Sequence, residues 1–148
     1  MSALSSFLGD KLLGESGKTS VDTQSLDLVP VVALYFSAHW CPPCKLFTGK
    51  LRNAYNEINA DSKRLEIVWI SGDEEEDEFD DYFKEMPWLA MPFESDNCDI
   101  DREEVSEKYD IASIPQLIIL EKDGSIRSAS GKKEIEDHGA GAFNIWNA

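Results

Sequence analysis

Two thiols three residues apart are the side chains in this sequence best suited to do chemistry. Cys41 and Cys44 lie in the run Trp40-Cys41-Pro42-Pro43-Cys44. The run falls between a nearly continuous apolar stretch, Val29 to Phe36, and a segment in which Phe47, Leu51, Tyr55 and Ile58 recur every three or four residues. The first pattern is that of a buried strand and the second that of one helix face, with Pro43 suited to the first helical turn. Thiols at such a junction can close a small disulfide ring. The partial positive charge and free N–H groups of a helix N-terminus favour thiolate over thiol. The Cys41 pKa is therefore expected below the free value of about 8.5, and Lys45 adds a cation beside it. Cys44, one turn in, is expected to be more buried, which suits a resolving thiol. The residues alone leave two other readings open, half of a zinc site or two inert core cysteines. Zinc takes four ligands, and His39, Cys98 and His138 show no ligand spacing of their own. A bare C-x-x-C is a weak signal, but one placed between an apolar strand and an amphipathic helix, with Trp preceding, is a strong one.

A second feature bears on the same chemistry. Ser113-Ile114-Pro115-Gln116 stands directly before the apolar run Leu117 to Leu120. Most X-Pro bonds are trans. Beside a dithiol, however, Pro115 is a candidate cis-proline, which would keep metal from the Cys41 sulfur and leave the backbone of Ile114 open to a substrate chain.

The elements that must position these residues follow from hydrophobic period and punctuation. Leu4, Phe7, Leu8 and Leu12 have helical spacing, with Gly14 as a stop. Val21 to Leu28 is expected to hold a short edge strand. Leu65 to Ser71 reads as a second buried strand and Leu117 to Leu120 as a third. Asp73 to Asp81 contains eight acids in nine positions and leads into an apolar face of Phe79, Tyr82, Phe83 and Met86, a helix with a dipole-favoured acidic start. Pro87 to Phe93 is expected to be extended. Asp101 and Glu104 form a capping pair for a short helix carrying Val105 and Tyr109. Lys122-Asp123-Gly124 predicts a tight hairpin leading into Ser125 to Ser130, and Lys132 to Asp137 a last short helix. The order implies an α/β protein with a mixed sheet and helices on both faces.

Composition bounds the function. The chain has 148 residues, the size of a single domain spanning 1–148, and 42% hydrophobic residues, enough for a packed core. Its 14 cations against 29 acids give a net charge of −15, which argues against direct binding to nucleic acid or to anionic membrane surface. The charge is uneven: residues 41–64 hold five cations and two acids. Three cysteines cannot all pair within the chain, unlike a disulfide-stapled secreted scaffold. No transmembrane helix, signal peptide or lipidation motif is read, so the expected compartment is the cytoplasm, with the nucleus as a second. The acidic run reads as a solvated helix start more than as a steering surface, and Asp96 to Asp101 lacks the spacing of a calcium loop. Cys98 is the spare thiol, a candidate for an intermolecular disulfide in a redox-dependent homodimer of an otherwise monomeric protein. His39 is a candidate proton partner of the thiols. His138 reads as idle, and Trp69, Trp88 and Trp146 as packing.

The run Phe36-Ser37-Ala38-His39-Trp40-Cys41-Pro42-Pro43-Cys44-Lys45 resembles the active site of the tryparedoxin and nucleoredoxin family, within the thioredoxin superfamily. Met86-Pro87-Trp88-Leu89-Ala90-Met91-Pro92-Phe93 is similar to the family's second signature, and Ile114-Pro115 matches its cis-proline position. Phe143 to Trp146 loosely resembles its aromatic ending. The resemblance runs from about Phe7 to Trp146. It implies a thioredoxin fold and a protein-disulfide reductase without cofactor or metal, in which Cys41 attacks a substrate disulfide, Cys44 resolves the mixed disulfide, and Trp40, Pro42, Pro43, Ile114 and Pro115 line the docking surface. Implied partners are protein disulfides, in peroxiredoxins or in signalling proteins and transcription factors. The implied reductant is thioredoxin reductase or a glutathione-type thiol; in tryparedoxins it is trypanothione. The alternative it implies is a redox-sensitive regulatory module of the nucleoredoxin type. Three positions depart from pattern. Tyr35 stands where plain thioredoxins carry a buried Asp, so its hydroxyl, or water, is the expected proton acceptor. Gly49 replaces a helix-kinking Pro, and Lys45 replaces an Arg, keeping charge but not bidentate hydrogen bonding.

Overall fold

The computed structural model describes residues 3–14, 17–94 and 101–147. Its three long runs of apolar residues become the middle of a seven-stranded sheet. β3 (Val31–Ser37), β4 (Leu65–Ser71) and β6 (Gln116–Leu120) lie side by side, β3 parallel to β4 and antiparallel to β6. In β3, Val31, Ala33 and Tyr35 point into one core with Phe47, Leu51 and Tyr55, while Val32, Leu34 and Phe36 point into the other with Leu4, Leu8 and Val105. A strand that feeds two cores must be apolar at both parities, which is why the run is continuous rather than alternating. The sheet order is β2-β1-β5-β4-β3-β6-β7, a central mixed sheet, with β1 (Lys11–Gly14), β2 (Thr19–Asp22), β5 (Leu89–Ala90) and β7 (Ile126–Ser128) outside.

Helices cover both faces. On one lie α2 (Pro42–Ile58), α3 (Glu76–Phe83), α5 (Gly131–His138) and α6 (Ala142–Trp146); on the other lie α1 (Ser5–Leu8) and α4 (Arg102–Lys108). The expected cap of α4 is present, the Asp101 carboxylate accepting from the Glu104 N–H at 2.8 Å. The acidic first turn of α3 is also present, with Glu76, Asp77 and Glu78 at its dipole end. Among the described residues no helix is long and apolar enough to cross a membrane.

Three expectations differ. The helical spacing from Leu4 to Leu12 yields only α1, because Gly9 turns the chain at φ 85° and the next residues become β1. Leu12 and Leu13 then alternate between the two cores. Gly14 serves a close strand approach instead of a helix stop, since a Cβ there would stand 2.9 Å from both Thr19 Oγ1 and Val21 Cγ2. The edge strand falls earlier than read, and Thr23–Leu28 forms a 3-10 turn capped by Asp22, which accepts from the Gln24 N–H at 3.1 Å. Finally, the helix read at Lys132 to Asp137 is not the last: Phe143 and Trp146 belong to a further helix, α6. Trp146 is buried there, and its indole N–H donates to Glu134 at 3.0 Å.

Candidate active site

β3 ends at Ser37, and the chain turns through Ala38, His39 and Trp40 into α2. The Cys41 N–H donates to the Ala38 carbonyl at 3.2 Å, closing the turn. Cys41 is the N-cap of α2, in extended conformation, with Pro42 at the first helical position where its missing N–H costs nothing. Its carbonyl takes the first intrahelical bonds, from the N–H groups of Cys44 at 3.1 Å and Lys45 at 3.2 Å. Cys41 and Cys44 are joined as a disulfide with their Cα atoms 5.2 Å apart, inside the range such bonds require. The two sulfur-bearing residues are not equivalent. Cys41 is 6% exposed at the rim and Cys44 is 0% exposed behind it. Trp40 projects into solvent at 60% exposure, and Pro42 and Pro43 are exposed beside it.

The Ile114–Pro115 peptide bond is cis. Ile114, half-buried, packs against the small cluster of Ala38, Cys41 and Cys44. Of the expected docking residues, Trp40 thus lies on the loop before α2, Pro42 and Pro43 in the first turn of α2, and Ile114 and Pro115 on the loop before β6, where Ile114 meets the cysteine pair.

Two contacts from the end of β4 hold the nucleophile loop. The Gly72 N–H donates to the Ser37 carbonyl at 2.9 Å, and the His39 N–H donates to the Asp73 carboxylate at 2.8 Å. Asp73 heads the acidic run, yet it is only 2% exposed, and its second oxygen accepts from the Ser71 hydroxyl at 2.9 Å. Arg102 clamps this corner from α4. Its guanidinium donates to the carbonyls of Ser71 at 2.7 Å, Asp73 at 3.0 Å and Phe93 at 3.1 Å, and stacks on the Phe93 ring. Burial lowers the Arg102 pKa, opposed by the nearby charges of Asp73, Asp101 and Glu94.

Behind Cys44 lies a buried chain of hydroxyls. The Tyr35 hydroxyl donates to the Cys44 carbonyl at 3.1 Å and meets the Thr48 hydroxyl at 2.7 Å, which in turn meets the Tyr82 hydroxyl at 2.6 Å. One proton direction satisfies all three bonds: Tyr82 donates to Thr48, Thr48 to Tyr35, and Tyr35 to Cys44. Burial, with Tyr82 beside it, raises the Tyr35 pKa well above the ordinary tyrosine value. The expectation that Tyr35 serves as proton acceptor is therefore corrected: its oxygen holds its own proton and is an anchor for the first turns of α2. The His39 ring meets Tyr82 edge-on, with centroids 6.0 Å apart.

Other sequence readings find their places. Trp69, Trp88 and Trp146 are core residues, and His138 is exposed at the end of α5. α2 runs unbroken through Gly49. Among the described residues no group of three or more His, Cys, Asp or Glu is placed to hold a metal ion. Cys98 lies outside the described residues. Sequence reasoning missed Asp73, Arg102 and Thr48.

A central mixed sheet, a C-x-x-C disulfide at the N-terminus of the helix after β3, and a cis-proline loop packed against it define a thioredoxin fold with a dithiol site. Residues 30–126 match the thioredoxin-like family model, and the chain belongs to that family. It is 39% identical over 142 residues to probable nucleoredoxin 1 of Arabidopsis thaliana, an alignment covering 96% of this chain and 24% of that protein. The chain spans about a quarter of the length of the nucleoredoxins it matches. Tryparedoxin from Trypanosoma brucei superimposes with a TM-score of 0.83 at 37% identity, covering 99% of both chains. Tryparedoxin II complexed with glutathionylspermidine gives a TM-score of 0.81 at 31% identity, over 95% of both.

Proposed function

We propose that the protein is a protein-disulfide reductase working through Cys41 and Cys44. The observation that carries this reading is the asymmetry of the pair: Cys41 at the solvent rim and at the helix N-cap, Cys44 fully buried one turn behind it. In the reduced protein the Cys41 thiolate attacks one sulfur of a substrate disulfide. A Cys41–substrate bond forms, the substrate S–S bond breaks, and the other substrate sulfur leaves as thiolate to take up a proton. Cys44 then loses its proton and attacks the Cys41 sulfur, forming the intramolecular disulfide and expelling the second substrate thiol. Two electrons pass from the dithiol to the substrate, and a thiol reductant must return them. Trp40, Pro42, Pro43, Ile114 and Pro115 form the docking surface, the backbone of Ile114 being the part that pairs with an extended substrate chain.

The substrates in this reading are disulfides of peroxiredoxins or of signalling proteins and transcription factors. The reductant is thioredoxin reductase or a glutathione-type thiol, which the glutathionylspermidine complex of tryparedoxin II supports. A reducing dithiol operates where the surrounding thiol pool is reduced, that is in cytoplasm or nucleus. Both cysteines and the docking residues of this reading lie within one domain, 1–148.

The test is insulin reduction with dithiothreitol or a coupled NADPH system. Wild-type protein accelerates it, Cys41→Ser abolishes it, and Cys44→Ser accumulates covalent substrate adducts on non-reducing gels. Unchanged turnover in Cys41→Ser overturns the mechanism.

A further inference from the structure

The turn that carries the nucleophile is tied to the sheet by a buried carboxylate. Its internal bond, from the Cys41 N–H to the Ala38 carbonyl, fastens the turn only to itself. The Cys41 side chain makes no capping hydrogen bond at the start of α2. The His39 N–H, at the first central position of the turn, donates instead to Asp73 at 2.8 Å, and the His39 ring adds an edge contact with Tyr82. Asp73 is itself fixed. Its N–H donates to the Ser71 hydroxyl oxygen at 2.9 Å, the Ser71 hydroxyl donates to its second carboxylate oxygen at 2.9 Å, and its carbonyl accepts from Arg102 at 3.0 Å. A buried carboxylate is costly unless its oxygens are filled, and here both are. Glu74, Glu75 and Glu76 beside it face solvent and bear no such cost.

We propose that Asp73 is a positioning residue for Cys41: it keeps the turn in the shape the disulfide ring needs while the two sulfurs are apart. This rests on the disulfide-reductase reading and deepens it. In the oxidised protein the S–S bond itself holds Cys41 against Cys44. In the dithiol and in the mixed disulfide that bond is open, and the hydrogen bonds around the turn decide how often Cys41 stands where Cys44 can attack it. A turn already held loses little freedom when the ring closes. A released turn loses more, so the ring becomes less favourable and slower to form. The carboxylate acts through the place of its oxygen and not through its charge, which the Arg102 guanidinium beside it offsets. Asn at this position separates the two. Its amide oxygen can still accept from His39, and its NH2 group can donate to the Ser71 oxygen, whose two lone pairs also serve the N–H of residue 73.

The experiment equilibrates the reduced protein with glutathione and glutathione disulfide, and the species are counted by mass after thiol alkylation. The Cys41–Cys44 bond forms as the glutathione S–S bond breaks; two electrons pass to glutathione, and the two thiol protons go to its departing thiolates. Asp73→Ala is expected to lower the equilibrium constant for ring formation about tenfold, a rise in potential of about 30 mV, and to accumulate the Cys41–glutathione mixed disulfide. Asp73→Asn is expected to stay within about threefold of wild type, as a neutral hydrogen bond replaces a charged one. Ser71→Ala frees one carboxylate oxygen and is expected to lower the constant about threefold, a measurement that serves if Asp73→Ala does not fold. Glu66→Ala removes another buried carboxylate, one that accepts from the Ile67 N–H at 3.0 Å near the start of β4, and is expected to leave the constant unchanged. An unchanged constant in Asp73→Ala, or in Ser71→Ala where Asp73→Ala does not fold, overturns the proposal. So does an Asp73→Asn as impaired as Asp73→Ala, which would make charge the cause, or an equal loss in Glu66→Ala, which would make it general destabilisation. A wild-type protein that closes its ring yet reduces no insulin overturns the reductase reading and leaves the positioning of Cys41 standing.

Discussion

Tyr35 shows how one side chain can replace another without taking over its chemistry. It faces the site from β3, but its hydroxyl donates to the Cys44 carbonyl and accepts from Thr48. A group held protonated cannot relay a proton as a carboxylate does. Its contribution is geometric: it ties the first turns of α2 to the middle of the sheet and, through Thr48 and Tyr82, to α3. Tyr35→Phe leaves the Thr48 hydroxyl and the Cys44 carbonyl short of a partner in a buried place. It should cost about 1–3 kcal/mol in urea unfolding. The pH profile of disulfide reduction should keep its shape in this variant. A titrating limb lost with the hydroxyl would instead make Tyr35 a catalytic base.

At the scale of elements, two glycines make opposite predictions. Gly49 lies inside α2 with nothing within 4 Å of where its Cβ would be. Gly49→Ala should therefore raise stability by about 0.5–1 kcal/mol, the ordinary gain in a helix interior. Gly131 opens α5, where a Cβ would stand 2.7 Å from the Leu117 carbonyl oxygen of β6 and 2.9 Å from Leu117 Cγ. Gly131→Ala must push helix from sheet and should cost about 1–3 kcal/mol; thermal melts of the two variants should move in opposite directions. How legible each element was follows its burial. β3, β4 and β6 stood out because strands buried on both faces leave continuous apolar runs. β1 did not, because leucines at 4, 8 and 12 mimic a helix until Gly9 breaks it. β5 has only two residues, too few to show a period, and α6 was hidden behind Gly139 and Gly141. In the site, the cysteine pair and Pro115 were readable because their residue types and neighbours are rare. Asp73 was not, since it heads a run of chemically identical neighbours, and only the register in which β4 ends sends that one carboxylate inward. Thr48 was hidden for a similar reason, a polar residue on an apolar helix face whose partners come from two other elements.

For the whole molecule, the buried tyrosines set an alkaline limit. Burial holds the Tyr35, Tyr55 and Tyr82 hydroxyls above the ordinary value of 10.0 and pushes Tyr109 up to about 12. Each raised pKa means that the folded state keeps a proton the unfolded chain releases near pH 10. The stabilisation is fully present below pH 10 and is lost as the pH rises from there through the folded-state values. Each tyrosine contributes up to about 1.4 kcal/mol per pH unit in that window. Urea unfolding should be nearly flat between pH 8 and 9.5 as far as these groups are concerned, and fall steeply between 10 and 12. A flat response there would mean that the hydroxyls are not held by the fold.

The Cys41–Cys44 ring closes within a single turn of α2 and fastens no strand to a helix and no helix to another. Opening it frees only a four-residue loop, a change in chain entropy worth about 2 kcal/mol. The sheet and both cores lie outside that loop. In the proposed cycle, architecture and electron inventory are thereby decoupled: taking up and giving away the electron pair leaves the scaffold that aims the sulfur in place.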